Sequence, residues 1–231
     1  GDPGEGAVVV DPGPLNESHL RAVLHRAGGQ VSVVLLTHRH PDHAAGAARF
    51  AVLAQCPVRS VDPSCRVGPD GLADGDQIET PGVTLRTLLT PGHTSDSCCF
   101  LLDIAGAPPR LLTGDTVLGR GTTVIARPDG DLAAYLASLD RLQRLVADAG
   151  VGHLLPGHGP VVSEPSAWLA YYRAHRLERL EQVRAAYVRG AQTAADIVAV
   201  VYADVDRAVW PAAEQSVAAQ LDYLSALEDD S

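Results

Sequence analysis

Three histidines and one aspartate fall within six residues in Thr37-His38-Arg39-His40-Pro41-Asp42-His43. Imidazole and carboxylate are donors that suit a borderline divalent metal such as zinc. The string follows directly on a continuous apolar run at residues 31–36, long enough for one buried strand, and lies in the turn before an expected helix at 43–55. A strand end holds side chains in fixed relative positions, so the string reads as a metal cradle rather than a polar loop. Three residues of the same types occupy matching places. His93 stands in Thr90-Pro91-Gly92-His93-Thr94, after a strand pattern at 83–89. Asp115 stands in Thr113-Gly114-Asp115-Thr116, after one at 110–113. His158 stands in Pro156-Gly157-His158-Gly159, after one at 153–155. Each alone is ordinary turn chemistry. Together, four strand ends present seven nitrogen and oxygen donors and no thiolate, which fits two adjacent metals sharing one carboxylate.

The elements that must position these residues alternate between strand and helix periods. A strand at residues 7–11 ends in Asp-Pro-Gly-Pro; a helix follows on Leu20, Val23, Leu24 and Ala27, with Asn16 as its cap and Gly28 as its stop. Residues 98–103 and 110–113 read as two more strands, separated by a Gly-Ala-Pro-Pro turn. Residues 131–149 form an amphipathic helix on Leu132, Leu136, Leu139, Leu142 and Val146. From about Ser166 Gly and Pro nearly vanish, and helices are expected at 168–189, 193–202 and 211–227. A boundary near residue 165 therefore divides a catalytic domain, 1–165, from a helical tail, 166–231.

Composition narrows the class. Of 231 residues, 46% are hydrophobic and 20% charged, as in an ordinary globular protein and unlike a disordered or disulfide-stapled one. No apolar run approaches the length of a membrane span. The net charge is −10 and every one of the 18 basic residues is Arg, which argues against broad nucleic-acid binding but leaves room for a local basic groove. Cys56, Cys65, Cys98 and Cys99 lack metal-site spacing and read as free buried thiols of a cytoplasmic protein. There is no Met, so the sequence is expected to begin inside a domain.

The motifs resemble those of the metallo-β-lactamase superfamily over essentially all of residues 7–165. The resemblance implies an α/β fold, an αββα sandwich with a dinuclear site at one edge. It implies one metal on His38, His40 and His93, a second on Asp42, His43 and His158, and Asp115 bridging them. The bridging Asp is similar to the glyoxalase II, ribonuclease Z and lactamase-beta-like protein 2 branches. Residues 113–124 most resemble the last of these, as does the tail through His175-Arg176-Leu177-Glu178-Arg179 and Ala212-Ala213-Glu214-Gln215-Ser216-Val217. That branch implies a small winged-helix-like tail domain. Against the pattern, the family's first strands are absent before residue 7 and the wing hairpin is absent after Ser231, so both ends are expected to be truncated.

Two metals roughly 3.5–4 Å apart bring a shared water toward neutral pKa, and the resulting bridging hydroxide is a nucleophile. The expected activity is therefore metal-dependent hydrolysis of a small ester, thioester or related substrate, with Asp42 and Asp115 catalytic and two divalent ions, Zn²⁺ first and Mn²⁺ or Fe as alternatives. The alternative is an endoribonuclease acting on single-stranded RNA, which needs a basic groove. Arg173, Arg176, Arg179, Arg184 and Arg189 make the helix at 168–189 locally basic, either as an anion-binding wall or as a solvated face paired with Glu178 and Glu181. Asp96, Thr37 and Thr94 are candidates to orient the ligands. His19 and His25 read as solvent-facing and His153 as structural, and a thiolate role at the site is open to at most one of Cys98 and Cys99. No membrane partner is implied, and the oligomeric state is left open.

Overall fold

The structure is a computed structural model that describes residues 6–229. The expectation of truncated ends falls on its margins and lies outside the described residues. Two sheets stack face to face. The first has three parallel strands in the order β1 (Ala7–Val10), β2 (Val31–Leu35) and β3 (Val58–Arg59). The second is ordered β4 (Gln77–Thr80), β5 (Val83–Leu89), β6 (Cys98–Ile104), β7 (Arg110–Gly114) and β8 (His153–Pro156). The pairs β5–β6 and β6–β7 are antiparallel, whereas β7–β8 is parallel. It follows that β5, β7 and β8 all run the same way and end at one edge of the sheet. Those are the three strands that precede His93, Asp115 and His158.

Side-chain alternation sorts the core into layers. Val33 and Leu35 of β2 face Ile78, Leu85 and Phe100 between the sheets. Val34 and Leu36 face outward, beneath α1 (Glu17–Arg26) and α3 (Ala47–Ala54), where Leu20 and Phe50 are fully buried. The other sheet's outer face, with Leu101, Leu111 and Leu154, is covered by Tyr135, Leu139 and Leu142 of α4 (Leu132–Ala149) and by Leu169 and Tyr172 of α5 (Pro165–Val188). Each fully buried leucine contributes about 1.5–3 kcal/mol. Helix–sheet–sheet–helix is thus the observed order.

The caps follow the sequence. Asn16 Oδ1 accepts from the His19 N–H at the start of α1, and Asp131 Oδ1 accepts from Ala134 N at the start of α4. Beyond the sandwich, α5 continues into a second core, in which Val183 and Ala186 pack with Ile197 and Val198 of α6 (Ala194–Val201) and with Ala213 and Val217 of α7 (Trp210–Asp229). Thr193 and Asp196 close a reciprocal capping box on α6. Among the described residues, no helix is long and apolar enough to cross a membrane.

One expected element differs. The helix at 43–55 is two helices, α2 (Pro41–Ala44) and α3, separated at Gly46. The Gly46 N–H donates to the Gly13 carbonyl at 2.9 Å. A Cβ there would lie 2.8 Å from the carbonyl oxygens of Gly13 and Pro14, so the chain must turn at a glycine to seat against the loop after β1. As a result His40 caps α2, and Asp42 and His43 ride on its single turn instead of in a loop before it.

Candidate metal centre

The fold brings all seven candidate residues to the common strand-end edge. His38 Nε2 and His93 Nε2 each lie 3.1 Å from His40 Nδ1. A second trio lies beside them: His158 Nε2 is 3.2 Å from His43 Nε2 and 3.1 Å from Asp42 Oδ2. Asp115 stands between the two, with Oδ1 at 3.4 Å from His43 Nε2 and Oδ2 at 3.6 Å from His158 Nε2 and 3.9 Å from His93 Nε2. Bonds of about 2.0–2.1 Å to a tetrahedral ion place its donors about 3.3 Å apart, and both trios have that spacing. The centre is graded in exposure: His38 is 1% exposed, whereas the side chains of His158 and Asp42 are 50% and 56% exposed. One side is therefore sealed in the fold and the other faces solvent.

Hydrogen bonds behind the imidazoles fix which nitrogen is bare. His93 Nδ1 lies 2.8 Å from the Val124 carbonyl, an acceptor only, so Nδ1 carries the proton and Nε2 keeps its lone pair. His43 Nδ1 lies 2.8 Å from Asp11 Oδ2, with the same consequence. The Thr37 hydroxyl gives its proton to Asp11 Oδ2 at 2.6 Å, so it can only accept from His38 Nδ1 at 3.0 Å. Thr37 N also donates to Asp11 Oδ1 at 2.8 Å. One carboxylate thus orients His38 through Thr37 and His43 directly. Three Nε2 atoms point into the centre: those of His38 and His93 are bare, and that of His43 is bare once a cation replaces its second proton. Asp115 Oδ1 is likewise buried with no hydrogen-bond partner. A cation is what this donor set fits.

The electrostatics agree. Burial, together with the neighbouring His43 and His93, pushes His38 down to about 2. His43 is also penalised by burial, but its hydrogen bond to Asp11 and the nearby charges of Asp11 and Asp115 outweigh this and raise it to about 10. Burial acts to raise Asp115, yet the charge on His43 and the other imidazoles holds it below the usual carboxylate range. Without a metal, one imidazolium on His43 would offset only part of the charge of Asp11 and Asp115; a dication in place of that proton offsets more.

Glycines let the strands' ends close up. A Cβ on Gly157 would sit 2.7 Å from Asp115 Oδ1 and 2.8 Å from His43 Cε1. At Gly92, with φ of +134°, a Cβ would press into the Tyr135 backbone at 2.4 Å. On the far side α5 braces the centre. Trp168 Nε1 donates to the Leu118 carbonyl at 2.8 Å, and Tyr172 Oη accepts from Leu118 N at 2.7 Å. The adjoining Gly119 N–H donates to the His158 carbonyl at 2.8 Å.

Of the candidate orienting residues, Thr37 touches a site histidine as described. Thr94 bonds Ser97 instead, at 2.7 Å. Asp96 does not orient His93: the turn at 94–97 aims it at Arg39, 3.6 Å away, where Arg39 also meets Asp129 at 2.6 Å and Asp62 at 3.4 Å. This clasp pins the loop between His38 and His40. Cys98 and Cys99 point to opposite faces of β6 and lie in separate cores, so neither reaches the centre. His19 is exposed, yet Nε2 lies 3.0 Å from the Pro12 carbonyl. Sequence reasoning missed Asp11, which looked like part of a turn. It follows the last residue of β1 as Asp115 follows β7, and that shared strand-end placement was the available signal.

Residues 2–158 match the Metallo-beta-lactamase superfamily, and residues 193–228 match the Beta-lactamase associated winged helix domain. The chain belongs to the metallo-beta-lactamase superfamily. It is 30% identical over 240 residues to the Beta-lactamase-like protein 2 homolog of Drosophila melanogaster, covering 93% of this chain and 76% of that one. It is 39% identical over 160 residues to Thioesterase pkgB of Emericella nidulans, covering 67% of this chain and 42% of the relative. Its structure superposes on a Beta-lactamase domain protein from Burkholderia ambifaria with a TM-score of 0.80 at 25% identity, over 96% of this chain and 78% of the other. The chain spans about half the length of the fungal relatives it matches. A metallo-beta-lactamase fold followed by a winged-helix domain is the architecture, and the His and Asp clusters suit the divalent metals this superfamily binds.

Proposed function

We propose that this superfamily member is a dinuclear metal-dependent hydrolase of a small thioester or ester. The observation that carries the reading is the convergence of two donor trios on one shared carboxylate. His38, His40 and His93 would hold one ion, Asp42, His43 and His158 the other, and Asp115 both. Zn²⁺ suits these donors best, and Mn²⁺ or Fe would be accepted by the same set. Bound there, divalent cations would supply Lewis acidity, activating water near neutral pH and stabilising charge on a carbonyl oxygen. The remaining work falls to the chain. Asp11 keeps His38 and His43 in the tautomer that presents Nε2. Val124 does the same for His93. Asp42, the most exposed carboxylate of the centre, meets the incoming substrate and accepts a proton from water. His38 is buried and Asp115 half-buried, which keeps bulk solvent off one side.

Thioesters are favoured because two of the relatives are named as thioesterases. The RNA alternative comes from the resemblance to the lactamase-beta-like protein 2 branch, and the arginines at 173–189 that would serve it are partly committed: Arg173 pairs with Asp140 at 2.7 Å and Arg184 with Glu181 at 3.0 Å. A cytoplasmic setting is proposed from the four free thiols. The test is a panel of acyl thioester, phosphodiester and lactam reporters with a single-stranded RNA oligonucleotide, on zinc-loaded protein. Thioester turnover is expected to dominate. RNA cleavage that exceeds it and falls steeply with salt would overturn the assignment.

A further inference from the structure

Helix α5 buries a guanidinium that no carboxylate among the described residues pairs. Arg176 is 7% exposed. Its Nε and Nη2 are buried with no hydrogen-bond partner among the described residues, and its Cζ lies 5.4 Å from the centre of the Tyr135 ring. No ion pair to Arg176 occurs among the described residues, although Arg173 and Arg184 on the same helix each have one. An unpaired buried guanidinium is strongly unfavourable, and a bound anion would offset that cost.

The guanidinium borders a pocket of about 300 Å³ between the sandwich and the tail. Arg176, His175 and Arg179 line it from α5, Thr122 and Thr123 from the loop after Asp115, and Ser216 from α7. Among the described residues no Asp or Glu lines it, in a chain whose net charge is −10. His175 Nδ1 is also buried without a partner. Burial, then the nearby Arg176 and Arg179, lower the His175 pKa, a sign of the positive potential there. The wall nearest the metal centre belongs to both sites. Thr123 donates its hydroxyl proton to the Asp115 carbonyl. Val124, which also lines the pocket, carries the carbonyl that holds His93.

We infer that this interdomain pocket is an anion subsite in which Arg176 receives the carboxylate or phosphate end of the hydrolase's acyl substrate. The inference rests on the hydrolase reading for the identity of the occupant, and on Arg176 and the pocket alone for the binding of an anion. A planar guanidinium with free N–H groups takes either group in a two-point contact.

The experiment has two arms. In the first, inorganic phosphate and succinate are titrated calorimetrically into the full chain after chelator treatment, so that the metal centre does not contribute. Binding is expected, with a raised melting temperature, and Arg176→Gln is expected to weaken it on the order of tenfold or more. Equal binding by Arg176→Gln and wild type, or no binding to wild type, overturns the subsite. Ala212→Leu, at the exposed rim of the pocket, keeps Arg176 and narrows the space. It is expected to weaken both anions too, and serves if Arg176→Gln fails to fold. In the second arm, succinyl and butyryl thioesters of one thiol are compared on metal-loaded protein. Arg176→Gln is expected to raise KM for the succinyl ester alone, with kcat little changed. Equal KM shifts for the two esters would leave the anion site standing and remove its link to substrate. Absence of any thioester turnover, with phosphate still bound in the first arm, would count against the hydrolase reading instead.

Discussion

Asp11→Asn isolates the element that sets the ligand tautomers. The backbone at Asp11 is left-handed, with φ of 49°, and Asn tolerates that region as well as Asp does. The substitution therefore changes charge and donor pattern without moving the chain. Asp11 Oδ1 accepts from Thr37 N, while Oδ2 accepts from Thr37 Oγ1 and His43 Nδ1. Asn has one acceptor oxygen for these two positions. With its oxygen toward Thr37 N, its amide NH₂ faces Thr37 Oγ1 and His43 Nδ1. His43 must then accept at Nδ1, which moves its proton to Nε2 and removes a metal donor. The Thr37 hydroxyl is freed to donate to His38 Nδ1, which reverses that histidine as well. With the amide the other way round, two N–H groups clash at Thr37. Either arrangement loses at least one charge-assisted hydrogen bond, about 1.5–3 kcal/mol, or roughly 10- to 150-fold in metal affinity. Removing partners that orient ligating histidines has effects of the same order. Competition against a chromogenic chelator reads the affinity directly, and circular dichroism checks the fold. Asp11→Asn with wild-type stoichiometry and an affinity within twofold of wild type would refute the tautomer argument.

Three further outcomes follow from the same geometry. Gly157→Ala forces a methyl group between Asp115 and His43, and displacement of catalytic groups by a fraction of an ångström should lower kcat/KM by about 10- to 100-fold with an unchanged far-ultraviolet spectrum; activity within twofold of wild type would contradict the close approach. After metal removal, stability should peak near neutral pH. His43, raised to about 10, contributes stability that is fully present below its unfolded pKa of about 6.5 and lost as pH climbs through about 10. His38, lowered to about 2, contributes stability present above about 6.5 and lost as pH falls below it. Thermal melts in chelator across that range check both slopes, and a monotonic curve from pH 5 to 9 would count against them. Cys98 and Cys99 should resist a thiol reagent in the native state, because burial pushes Cys99 up to about 11 and Cys98 well above its ordinary value. Loss of turnover on their modification in folded protein would show that they lie closer to the chemistry than the two cores allow.

How much of this was legible in the sequence depended on the range of the signal. The strand at 31–36, the amphipathic helix on Leu132 to Val146 and the long helix at 168–189 are written in periodicity, and they form β2, α4 and α5. Strands β3 and β4 went unanticipated because β3 has two residues and β4 buries one side chain, Ile78, too little for a period to show. The break at Gly46 depends on Gly13 and Pro14, distant in sequence and near in space. The seven donors were readable because glycine, proline and a preceding strand flag each one. Asp11, the Val124 carbonyl and the brace from Trp168 and Tyr172 were not, since their role appears only when separate strand ends meet. Arg176 was legible as one of several arginines on a helix. Its lack of an ion pair among the described residues is a property of the packed interface.

The central claim is that Asp115 joins two metal positions, and metal content measured with turnover tests it most directly. Wild type and Asp115→Ala would be loaded with zinc, desalted, analysed for bound metal by mass spectrometry and assayed on the preferred thioester reporter. The account predicts two ions per chain in wild type, with at least one ion and nearly all turnover lost in the variant. One ion or none in wild type, with turnover undiminished in Asp115→Ala, would contradict it.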